Sequence, residues 1–179
     1  MIIKKKLLFI LIGNDCTGKT TLQKLLIEQL CGVQYEKLPT NIALNIKHPE
    51  IKRKYSKISF GNRSYQEKID KYGSIDDYFS NHFNEQKIAF ISSHLNKNDL
   101  ENMILNGHRK FYNVCGVFFT NSIDVNKSLN SENSAKPKRS AFKRPMLHTQ
   151  TVRLYARKNQ HYSLKSKFLI IFGNIFKVV

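Results

Sequence analysis

The chain has 179 residues, with 30 Lys+Arg against 13 Asp+Glu and a formal net charge of +17. That length suits a single domain (residues 1–179) with a sizeable core, and 41% hydrophobic with 11% aromatic residues argues against wholesale disorder. No apolar run approaches the roughly 18 residues that cross a bilayer, which sets aside an integral membrane protein.

The first predicted element follows Lys4-Lys5-Lys6. The run Leu7 to Ile12 superficially resembles the core of a secretory leader, but it is too short and no small-residue cleavage site follows. A buried parallel strand has the same appearance and is the better reading. Cys16, Cys31 and Cys115 make an odd number without a CxxC pair, so neither a disulfide framework nor a zinc knuckle is expected. A reducing, cytoplasmic location is therefore predicted.

Directly after the strand comes Gly13-Asn14-Asp15-Cys16-Thr17-Gly18-Lys19-Thr20, which satisfies G-x-x-x-x-G-K-[ST] at every fixed position. Glycines let the backbone curl until successive N–H groups point inward at phosphate oxygens. Lys19 can then reach the outer phosphates and the Thr20 hydroxyl can bind Mg²⁺. From Lys19 to Leu30 the apolar residues 22, 25, 26 and 30 form one stripe, predicting a helix whose positive end faces the phosphates.

This stretch resembles the P-loop NTPases, and G-N-D-C-T-G-K-T-T is similar to the thymidylate-kinase form G-x-D-G-x-G-K-[ST]-[ST], with Cys16 where that family has glycine. The resemblance implies ATP and Mg²⁺ as ligands, bound by Gly13, Asn14, Asp15, Cys16, Thr17, Gly18, Lys19, Thr20 and Thr21. It implies a place for Asp15 near the phosphate acceptor; a turn-stabilising Asp bonded to nearby backbone is the other reading. Cys16 is expected to be a packed, inert thiol rather than an oxidisable one.

Between Gly32 and Gln86 the signals are weaker. Val33 to Leu38 predicts a second strand ended by Pro39, and Lys47 to Lys57 a basic surface helix or loop. Short helical segments are predicted around Ser64–Tyr72 and Ser74–Phe83, separated by Gly73. By the same resemblance this region forms the acceptor site, with Asp70, Asp76 and Asp77 as candidate carboxylates and Arg63 as a phosphate clamp. The common alternative for each is a solvated helix charge.

Lys87 to Ile91 then reads as a buried strand. Asn96 can cap a helix with Leu100, Met103, Ile104 and Phe111 on one face, and Asn113 to Phe119 reads as another strand. Strand–helix–strand at this spacing implies a parallel sheet. With the first strand and loop it predicts a three-layer α/β/α P-loop NTPase fold whose site lies at the carboxyl ends of the strands. The run Ser92 to Leu100 resembles the strand-to-helix turn of the polynucleotide-kinase and zeta-toxin-like kinases. It departs from their pattern at Ser92, where that resemblance places an acid that helps hold Mg²⁺. Either magnesium rests on Thr20, the phosphates and water, or only nucleotide binding remains. His94 reads as a substrate contact or a surface turn histidine.

All 13 acids lie in residues 1–132, whereas residues 133–179 hold 11 bases and no acid. Such a segment suits a polyanionic partner such as a nucleic acid. Residues 121–145 are polar, and Leu147, Thr151, Val152 and Tyr155 fall at helical spacing. By the resemblance, about 131–165 is a basic lid closing over the donor, with Arg139, Arg144 and Arg153 at matching places. Phe168–Phe172, Gly173-Asn174 and Ile175–Val179 read as a hairpin or as a last parallel strand with a packed tail. The functional expectation is an ATP-dependent phosphotransferase acting on a nucleotide or a nucleic-acid 5′ end. Its rivals are a nucleotide-dependent nucleic-acid-binding protein and a non-catalytic P-loop protein.

Overall fold

The computed structural model describes residues 6–119 together with the backbone of residues 150–154. The opening apolar run is strand β1 (Lys6–Ile12). Leu7, Phe9 and Leu11 join one buried cluster and Leu8, Ile10 and Ile12 another, the alternation of a strand covered on both faces. Helix α1 (Lys19–Cys31) covers the first face through Leu22, Leu26, Ile27 and Leu30. Leu25, expected in that stripe, is half-buried.

No strand forms at residues 33–38. Val33 and Tyr35 pack against the first cluster and Leu38 belongs to it, so the apolar signal there marks core-facing loop rather than strand. The next strands are β2 (Asn41–Asn45) and β3 (Lys57–Gly61), flanking α2 (Pro49–Lys52), the short helix of the basic stretch. The two helical segments around Gly73 are broken into tight turns: a 3₁₀ turn (Tyr65–Lys68), α3 (Ile69–Tyr72), α4 (Ile75–Asp77) and a π-type turn (Tyr78–His82).

Strand β4 (Ile88–Ser93), helix α5 (Lys97–Arg109) and strand β5 (Tyr112–Phe119) form the expected strand–helix–strand unit. The Asn96 side chain accepts from the backbone N–H groups of Asn98 and Asp99 at 3.0 and 3.3 Å, capping α5. Leu100, Met103 and Ile104 cover the second face of the sheet. Phe111, expected beside them, is 85% exposed: it lies past the helix with φ 63, and the turn into β5 directs it outward.

The described residues form one six-stranded sheet in the order β2-β3-β4-β1-β5-β6, where β6 is Gln150–Leu154. Only the β2–β3 pair is antiparallel. β6 replaces the helix expected around residues 147–155 at those positions. A run of β-branched Thr151 and Val152 beside the free edge of β5 suits a parallel strand better than one helical turn. The hairpin expected at 168–179 lies outside the described residues. Among the described residues, no helix is long and apolar enough to cross a membrane.

The chain leaves β1 toward α1 on one face and leaves its neighbour β4 toward α5 on the other. The carboxyl ends of β1 and β4 therefore bound a topological switch point, the place where open parallel sheets form a crevice.

Candidate functional site

The loop between β1 and α1 sits at that crevice. Its first residue is tied to β4, because the Gly13 N–H donates to Ser93 O at 3.1 Å. A Cβ on Gly13 would lie 2.7 Å from Thr17 Oγ1, so the curl tolerates no side chain there. Thr17 donates through Oγ1 to Asn14 O at 2.8 Å, and Gly18, with φ 95, caps α1 in a conformation other residues rarely adopt. Cys16 also has positive φ, 58°. The thymidylate-kinase pattern has glycine at this place, and the backbone supplies the reason: a left-handed residue with a Cβ costs about 1–2 kcal/mol. Its thiol is exposed rather than packed. Cys16→Gly is expected to raise stability by up to about 1 kcal/mol, as read from the urea midpoint, because relief of this strain outweighs the added chain entropy. A fall in the midpoint would contradict the strain argument.

Lys19 folds back over the loop. Its Nζ donates to Gly13 O and, at 2.7 Å, to Asn14 O, and the residue is 7% exposed. Burial lowers the ammonium pKa, opposed by the nearby Asp15, Glu67 and Cys16. Thr20 donates through Oγ1 to Asn62 Oδ1 at 2.8 Å. These groups open onto a cleft of about 760 Å³ lined by residues 15–21, from the loop and the first turn of α1, together with Asn62, Arg63 and Glu67.

At the end of β4, Ser92 is buried and its Oγ accepts from Gln23 Nε2 at 3.1 Å; the same amide donates to Gly61 O at 3.2 Å. The strand end thus closes with a neutral hydrogen-bonded pair. Two residues on, the His94 backbone N–H donates to Gln66 Oε1 at 3.2 Å, and Gln66 Nε2 donates to Asp99 Oδ2 at 2.6 Å. This bracing brings His94 Nε2 to 3.3 Å from Asp15 Oδ1 and 3.6 Å from Glu67 Oε1. Nε2 is buried facing both carboxylates, and neither contact has the geometry of a hydrogen bond. One ligand atom from each of Asp15, Glu67 and His94 lies within 4.8 Å of the others. That set has the chemistry of an acid–base group or of a divalent-cation site.

The carboxyl of Glu67 is held well below the ordinary carboxylate range, first by the His94 imidazole. Burial opposes this, and bonds from Arg63 and Ser64 reinforce it. A depressed folded-state pKa stabilises the fold at pH values above the unfolded value near 4.5, and that contribution is lost as pH falls through the carboxylate range. Wild type should therefore exceed Glu67→Gln in melting temperature at pH 7, and the gap should shrink as pH falls through and below 4.5. A gap independent of pH would sink this assignment.

The structure places Asp15 and Arg63 in the lining of the cleft, with His94 packed beside Asp15, but disperses the other candidate carboxylates. Asp76 accepts from Asn106 at 2.7 Å and pairs with Arg109, Asp77 caps α4 through Ser74, and Asp70 is exposed on α3; none lines the cleft. Arg139 and Arg144 lie outside the described residues, and Arg153 stands in edge strand β6 opposite Phe118. Glu67, Gln66 and Asn62 were missed. Glu67 did carry a signal, since Ser64-Tyr65-Gln66-Glu67 is a capping box that fixes the carboxylate at the start of its turn. Comparison with protein-family models, with curated proteins and with solved structures found no match.

Proposed function

We propose that the chain is a P-loop phosphotransferase, with the three-layer fold of that group, which moves the γ-phosphoryl of ATP to a nucleotide or a nucleic-acid 5′ end. The observation that carries this is the loop at the switch point: a G-x-x-x-x-G-K-T turn between the central strand and the N-terminus of α1, with Lys19 drawn over it. In that setting the loop amides and the start of α1 receive the phosphates. Lys19 exchanges the carbonyls of Gly13 and Asn14 for phosphate oxygens. Magnesium fits the oxygen donor at Thr20 and, when bound, neutralises charge developing on the phosphates. Asp15 stands beside His94 and Glu67 at the cleft, placed to take the proton of the acceptor hydroxyl as its oxygen attacks the γ-phosphorus and the bond to the departing diphosphate breaks. Arg139 and Arg144, from the acid-free segment, are the proposed cations for the transferring group, with Arg153 as the third candidate.

The test is incubation with γ-labelled ATP and Mg²⁺ in the presence of nucleosides, nucleotides and 5′-hydroxyl oligonucleotides. Label should appear on one acceptor class. Label found only in inorganic phosphate, together with salt-dependent binding of RNA or DNA, would support the second reading, a nucleotide-dependent nucleic-acid-binding protein. The stretch 133–179, with 11 bases and no acid, favours that reading, whereas the neutral Ser92–Gln23 pair at the end of β4 favours a non-catalytic P-loop protein.

A further inference from the structure

Thr20 and Asn62 meet at the cleft from different elements, the first turn of α1 and the residue after β3. Three observations bear on what the pair does. The hydroxyl of Thr20 is the donor, so its proton points at Asn62 Oδ1 and its lone pairs are directed elsewhere. The Asn62 amide is held in place: its backbone N–H donates to Thr40 O at 2.9 Å and its Nδ2 to Leu38 O at 3.3 Å. With the amide nitrogen engaged there, Oδ1 is the atom that faces Thr20. Finally, the end of β4 offers no carboxylate, and the Ser92 hydroxyl already serves Gln23.

We propose that Asn62 is a positioning residue for a divalent cation bound together with nucleotide. By accepting the Thr20 proton from the end of β3, it turns the Thr20 oxygen toward the cation, and so supplies from β3 an acceptor that an acid at the end of β4 would otherwise provide. The inference rests on the phosphate-loop reading above. Hydroxyl and amide oxygens suit hard cations such as Mg²⁺ and Mn²⁺. Both partners are neutral, so most of the charge compensation comes from the nucleotide phosphates. The cation should therefore bind with nucleotide and hardly at all without it. Partners of this outer kind typically change metal affinity by about ten- to a hundredfold.

The experiment titrates Mn²⁺ into the full chain, followed by electron paramagnetic resonance, with and without ADP; ADP affinity in chelator is measured in parallel. Asn62→Ala should weaken Mn²⁺ binding in the presence of ADP by about ten- to a hundredfold while leaving metal-free ADP affinity unchanged. It should add nothing further in a Thr20→Val background. Asn62→Asp gives up the bond to Leu38 O but keeps an acceptor for Thr20 and adds a negative charge beside the cation, which outweighs that loss, so it should bind Mn²⁺ at least as tightly as wild type; this variant decides the matter if the alanine variant does not fold. ADP-dependent Mn²⁺ binding that is indifferent to Asn62, or weaker in Asn62→Asp, overturns the inference alone. Loss of Mn²⁺ in His94→Ala but not in Asn62→Ala also overturns it, and moves the cation to Asp15, Glu67 and His94. A wild-type chain that binds no ADP overturns the phosphate-loop reading, and this inference with it.

Discussion

Under the proposed phosphotransferase function, Lys19→Ala should lower phosphoryl transfer by about a hundred- to a thousandfold, the usual effect of removing one preorganised donor from a site of developing charge, and should do so without unfolding the chain. The Lys19 ammonium is buried against the carbonyls of Gly13 and Asn14, and burial is the main cause of its lowered pKa. A charge kept in that position is retained at a cost in solvation, and deleting it removes the cost. The melting temperature of the variant should accordingly equal or exceed that of wild type, the pattern of a group kept for function rather than stability. Transfer of label to acceptor and thermal unfolding, measured side by side, check both halves. Wild-type transfer by the variant would remove the loop from the mechanism, whereas collapse of the fold would make Lys19 a structural cation.

Phe90→Ala is expected to have the largest effect on stability, a loss of about 3–5 kcal/mol. Phe90 is 1% exposed at the centre of the sheet. Register on both sides aligns it with Phe9 of β1 and Phe60 of β3, and its ring stacks on theirs at 4.6 and 5.2 Å between centroids, with interplanar angles of 12° and 14°. Truncation removes the middle of a three-ring stack under α1 and leaves a cavity that two neighbouring strands cannot both fill. Urea denaturation should show a lower midpoint with an unchanged slope. Phe111→Ala, at an exposed ring of the same type, should stay within about 0.5 kcal/mol of wild type. Similar losses for the two variants would contradict the assignment of Phe90 to the core.

Much of the architecture was legible from spacing alone. Leu7–Ile12 announced a doubly covered strand, Asn96 a helix cap, and Leu100, Met103 and Ile104 the face that covers the sheet. Phe111 fits the helical count equally well, yet the helix has ended by then and the chain turns through positive φ. Val33–Leu38 looked like a strand because its apolar residues do reach the core, and burial without ladder pairing leaves the same trace in a sequence. Leu147, Thr151, Val152 and Tyr155 fit a helical spacing, but four apolar or β-branched positions over so short a stretch do not separate that pattern from a strand. The free edge of β5 settled the matter.

The phosphate-loop candidate and the helix behind it follow from the order of residues 7–30, because glycine placement, the Lys-Thr pair and the apolar stripe all act within a few turns of chain. The opposite wall of the cleft has no such local origin. Thr20 and Asn62 are 42 positions apart, and Gln23 and Ser92 are 69 apart. Their contacts arise because β3, β4 and β1 lie side by side while the connections after β1 and β4 pass over opposite faces. The neutral residue at position 92 was visible along the chain. That it is locked to Gln23, with Asn62 placed to accept from Thr20, depended on strand order and the burial it enforces.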